Sequence, residues 1–167
     1  SNKALSWLNV TGYGYLLDFS GALVAARQDT TTAGVRLSGS MPIVNSTKLL
    51  YLAEFARQNG YASAAPGLVG AFYVNSELGV TTSRLCGVVD PTAKLSYEVL
   101  SGNGAFGFQT PLATLHAFQG WADLFLATPA GGIRDLSGTL TGKAEKVALY
   151  ASWHHFISDF TGAQLGD

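Results

Sequence analysis

The feature that most constrains this chain is a two-residue alternation of side-chain character that recurs along most of its length. From Thr32 to Ile43, residues Ala33, Val35, Leu37, Met41 and Ile43 share one parity, and Gly34, Arg36, Ser38 and Ser40 share the other. Successive side chains of a strand point to opposite sides, so this segment predicts a strand with one apolar and one polar face. Pro42 cannot donate to a ladder and fits only near the strand end. Lys48 to Gln58, Gly70 to Val80 and Lys94 to Leu100 repeat the pattern, and Leu5 to Phe19 alternates aromatic residues with Gly12, Gly14 and Asp18. Arg84 to Val89 reads as one more short strand before an Asp90-Pro91 turn. Ile133 to Gly142 and Val147 to Phe160 read as a hairpin across Lys143 to Lys146. The fold expected is all-β, an antiparallel up-and-down β-barrel or barrel segment of about seven to eight strands.

The polar faces narrow the class. A soluble sheet usually shows solvent a face rich in Lys, Glu and Thr. Here that face carries Gly, Ser, Asn and isolated charges such as Arg36, Glu54, Glu77 and Glu98, while Tyr, Phe and Trp sit on the apolar face toward strand ends. Charged residues are only 13% of the chain, against about 25% in ordinary soluble domains. Polar-inside, apolar-outside alternation is the pattern of a membrane barrel. A soluble barrel or sandwich around an apolar ligand would alternate too, and that alternative stays open. The chain holds no run of eighteen apolar residues, the length a membrane-crossing helix requires. A net charge of −1 gives no basic field for nucleic acid. Cys86 is the single cysteine, so no internal disulfide and no thiolate metal cluster are expected. Nothing calls for a cofactor.

One stretch does not read as strand. In Ala105 to Leu136, Thr110-Pro111 is a helix-start signal. Leu115, Phe118, Trp121 and Phe125 then recur near one helical face, and Thr128, Pro129 and Gly131-Gly132 end it. A helical insertion over 105–136 is expected, within residues 1–167 that form a single barrel domain or the C-terminal portion of a larger outer-membrane barrel.

The segment FQTPLATLHAFQGWAD at Phe108 to Asp123, with FLATP at Phe125 to Pro129, resembles the signature of the outer-membrane alginate export porin family. Flanking pieces agree in order: TGYGYLLDF at Thr11 to Phe19, GVRLSGS at Gly34 to Ser40, AEFARQ at Ala53 to Gln58, YEVL at Tyr97 to Leu100 and WHHF at Trp153 to Phe156. The resemblance implies a β-barrel in the outer membrane of a Gram-negative bacterium, in contact with lipid. It would be a porin passing polar or anionic carbohydrate solutes, alginate-like polyuronates among them, down a gradient. It also implies a portion of a longer barrel, because family members are much longer and Phe160 to Asp167 lacks their aromatic-terminated last strand; a fragment of that kind is open to self-association. The sequence departs from the family pattern at Gln119, Leu124, Arg134 and His155.

Transport needs no nucleophile or metal, only charges along a wetted path that release the solute. Arg36, Arg57, Arg84 and Lys94 are the basic candidates for solute contact. Arg36 and Lys94 are expected on polar strand faces, where Glu54, Glu77 and Glu98 offer neutralising partners. Trp121 offers a ring for stacking on sugar. Thr110, Pro111, His116, Phe118, Trp121, Asp123 and Phe125 are the expected plug or latch, and Arg134 with Asp135 the expected ion pair at its exit. His154 and His155 are adjacent on a strand, so they face opposite ways and do not share a metal. His116 and Asp123 lack the second carboxylate that glycoside cleavage needs, so the chain is not expected to be an enzyme.

Overall fold

The computed structural model describes residues 7–19, 29–61, 70–110, 124–125 and 127–161. They form one antiparallel sheet of eight strands: β1 (Leu8–Leu17), β2 (Thr30–Val44), β3 (Thr47–Gly60), β4 (Ala71–Thr81), β5 (Arg84–Leu85), β6 (Val88–Ser101), β7 (Gly132–Ala144) and β8 (Val147–Ile157). The order β1-β2-β3-β4-β6-β7-β8 follows the chain, with β5 paired to β6. The all-β, antiparallel, up-and-down expectation is therefore met. The sheet is not closed, and β1 and β8 stand at its two ends.

No helix occurs among the described residues. The core of the expected helical insertion, 111–123, lies outside them. Its expected boundary at Leu136 is corrected, because Gly132 to Leu136 already belong to β7, laddered to β6 through Leu136↔Tyr97 and Ile133↔Leu100. The Asp90-Pro91 turn is corrected as well. The chain reverses at Cys86-Gly87, both with positive φ (48° and 84°), which suits a two-residue hairpin turn. Asp90, at φ 49°, and Pro91 fall where the register shifts between Val89 and Thr92. A bulge there absorbs a residue that has no N–H to give.

The two ends of the sheet differ. Asn45-Ser46, Cys86-Gly87 and Glu145-Lys146 make tight reversals at one end, whereas residues 18–29, 61–70 and 102–131 connect strands at the other.

Register sorts every strand into two faces. Thr32↔Gln58, Gly34↔Ala56, Arg36↔Glu54, Glu54↔Asn75, Asn75↔Glu98 and Glu98↔Asp135 carry the polar parity from β2 to β7. On this inward face lie the buried Thr30, Thr32, Ala56, Gln58, Glu98, Leu100, Ile133, Asp135 and Ser137. The opposite parity carries Val35↔Phe55, Tyr51↔Leu78, Leu78↔Leu95 and Leu140↔Ala151. This outward face is open: Leu78 is 62% exposed, Leu140 61%, Val10 60% and Trp153 57%. The apolar parity is thus turned away from the sheet's own core, the reverse of a soluble half-sandwich.

What core there is lies on the inward face. Ala56, Leu100, Phe108 and Ile133 form a buried cluster, and Tyr13 of β1, Tyr73 of β4, Phe125 and Phe156 of β8 pack against it. Residues of the first and last strands meet one cluster, so the sheet curves around its polar face.

Candidate functional site

The inward wall gathers the chain's polar chemistry. Parity places Glu54, Glu77, Glu98 and Asp135 on it, together with Arg36, Lys48, Lys94 and Lys143. Four acids face four bases, so the fixed charges balance. By contrast the outward strand face carries Arg57, Arg134 and His155 and no acid.

Neighbouring strands neutralise one another. Arg36 Nη1 lies 3.3 Å from Glu54 Oε2, and Lys94 Nζ 2.9 Å from Glu77 Oε1. Both lysine and arginine are partly exposed, so each pair stabilises the fold by at most about 1 kcal/mol. Tyr13 reaches across β2 to donate its hydroxyl to Glu54 Oε1 on β3 at 2.6 Å. That reach depends on Gly34, whose missing side chain leaves room for the Tyr13 ring; a Cβ there would collide with it. Large rings covering cross-strand glycines are a known way to pin register. Glu98 and Asp135 stand directly opposite each other across β6 and β7, where like charges destabilise. Tyr73 donates its hydroxyl to Glu98 at 2.7 Å, and His154 Nδ1 lies 2.8 Å from Asp135 Oδ2. Asp135 Oδ1 accepts no hydrogen bond among the described residues. Asn75 Oδ1 accepts from Ser96 at 3.2 Å, continuing the polar row.

The flanks of the 102–131 connection sit against this wall. Asn103 Oδ1 accepts from the amides of Ala105 and Phe106, turning the chain, and Gly102 bridges Gly107. Gly102 must be glycine, because a Cβ would meet the backbone of Ala130 to Gly132. Phe108 then drops onto Ala56, Leu100 and Ile133, its ring 5.6 Å from that of Tyr73. Gln58, 2% exposed, answers residue 109 twice: Gln109 N donates to its Oε1 at 2.8 Å, and its Nε2 donates to Gln109 O at 2.9 Å. On the other flank Phe125 meets Phe156 edge-on at 5.2 Å. Gln109 Nε2 donates to Thr128 O at 3.3 Å and ties the flanks together.

Of the candidates named from sequence, Arg36 and Lys94 stand on the inward wall, each with a carboxylate. Arg57 instead faces outward, against Phe72, and Arg84 is exposed on β5 at the tight-turn end. Thr110 is exposed and Phe125 is half-buried on the wall. Pro111, His116, Phe118, Trp121 and Asp123 lie outside the described residues. The Arg134–Asp135 pair is corrected: adjacent strand residues diverge, and Arg134 Nε binds Asp159 Oδ1 at 2.7 Å while Asp135 binds His154. Tyr13 and Tyr15, expected with the apolar parity, share the face of Arg36 and Thr32. His155 points outward and stacks on Trp153 with rings 6.2 Å apart. Among the described residues no group of three His, Cys, Asp or Glu is placed to hold a metal.

Sequence reasoning missed Gln58, Phe108 and the Glu98–Asp135–His154 row. The parity of Gln58 with Glu54 was readable; its partnership with residue 109 spans fifty-one positions and was not. No family model, characterised protein or solved structure matches the chain.

Proposed function

We propose that this sheet is a wall of an outer-membrane β-barrel whose apolar face meets lipid and whose polar face lines a passive path for polar solutes. One observation carries the proposal: the strand face holding Leu78, Leu95, Leu140 and Trp153 is exposed and free of acids, while the charged parity is the buried one. Tight reversals at one end and long connections at the other are the further habit of such barrels. The free edges of β1 and β8 then close the barrel, with each other or with additional strands, since an unpaired edge is untenable in lipid. Balanced inward charges favour weak, reversible contact with hydroxyl-rich solutes, carbohydrates above all. Alginate-like polyuronates fit the same wall through Arg36 and Lys94 only by displacing Glu54 and Glu77.

The test is reconstitution of the chain into vesicles of brominated phospholipid. Tryptophan emission should be quenched, and less so in Trp153→Phe. A chain that stays monomeric without detergent, with Trp153 reached only by an aqueous quencher, would instead be a soluble ligand-binding barrel. Ion flux through planar bilayers tests the path itself, and sealed membranes would sink it.

A further inference from the structure

Resting on the channel proposal, we infer that Gln58 is a positioning residue that holds an apolar constriction across the path, built from Phe108 and Phe125 against Tyr73, Leu100, Ile133 and Phe156. The inward wall is polar along most of its length, so a packed apolar layer on it needs a reason. Ala56, Leu100 and Ile133 by themselves would leave an oily strip on a wetted surface. The described flanks of the 102–131 connection cover that strip: Phe108 is 5% exposed and Ile133 1%. The layer reaches from Tyr13 on the first strand to Phe156 on the last, so it runs across the whole width of the wall, close to the end where the long connections lie.

Gln58 fixes it in place. Its amide plane exchanges two hydrogen bonds with the backbone of residue 109, as an extra strand residue would, and its Nε2 also reaches Thr32 Oγ1 at 3.0 Å. A side-chain amide is suited to this because it offers donor and acceptor together. Asn is one methylene shorter, and Glu keeps the acceptor but loses the donor. Phe108, next in sequence, is thereby pressed onto the wall, and Gln109 passes the tie to Thr128 on the other flank. Apolar narrowings of this kind limit passage by size and by dewetting, so the layer sets which polar solutes pass.

The experiment is vesicle swelling with the whole chain, using neutral sugars of rising size from arabinose through maltose to raffinose. Gln58→Ala and Phe108→Ala should each raise the raffinose-to-arabinose rate ratio severalfold, with Gln58→Glu falling between them and the unaltered chain. Folding is followed separately by the heat-modified shift on gels; if either variant fails to fold, Phe125→Ala, which leaves the Gln58 pair intact, should give the same widening. Folded variants with an unchanged ratio overturn the constriction and leave the channel standing. Swelling in no sugar, in any variant, overturns both.

Discussion

The two faces of the sheet obey opposite rules, though the same strands build both. Inward, burial falls on polar groups, and several are answered by a neighbour: Gln58 by Gln109, Glu54 by Tyr13 and Arg36, Asp135 Oδ2 by His154. Outward, most side chains are apolar and uncovered, from Val10 on β1 to Trp153 on β8. In water such a face would drive association, because patches of that extent are rarely left bare. In a bilayer it would cost nothing, with the backbone polar groups between neighbouring strands paired along the ladders and only the outer edges of β1 and β8 left to pair. The difference teaches that the fold's own core is small. Most of its large apolar side chains lie on the exposed outward face instead.

That contrast can be broken from either side. The largest effect is expected inward: Phe108→Ala, which empties the cluster under the connection, should destabilise the chain by about 3–5 kcal/mol, measured by urea unfolding in micelles. Close behind comes Leu95→Arg at mid-sheet on the outward face, expected to cost about 2–4 kcal/mol in lipid and almost nothing in a water-facing sheet; equilibrium folding into vesicles distinguishes the two. His154→Ala strips Asp135 Oδ2 of its partner, and a loss of about 1–3 kcal/mol should follow. Smallest is Arg134→Ala on the outward side, whose partly exposed link to Asp159 should change stability by less than about 1 kcal/mol. If Arg134→Ala proved as damaging as Phe108→Ala, the assignment of the stabilising contacts to the inward face would be wrong.

Much of the fold was legible because period-two alternation is a local property. The run from Thr32 to Ile43 announced β2, and Leu49, Tyr51, Ala53 and Phe55 announced the outward side of β3. What escaped had non-local causes. Asp-Pro is a strong turn signal, yet the hairpin formed at Cys86-Gly87, because pairing of β5 with β6 decides which dipeptide takes the left-handed conformation. By residue type Tyr13 and Tyr15 belong with the aromatic residues of the apolar parity, yet register with Gly34 and Thr32 sets them on the polar side. Arg36 and Lys94 were found as inward bases, and their neutralisation by carboxylates followed from strand order.

The sequence by itself determined that the chain alternates, that its polar parity is poor in charge, and that strands meet in chain order through turns; these follow from backbone geometry acting over a few residues. Only the tertiary structure decided which parity is buried, which acid faces which base, and that Gln58 grips residue 109 while Phe108 covers Ile133. Those outcomes depend on register and curvature, which bring together residues tens of positions apart and are fixed only when all the ladders form at once.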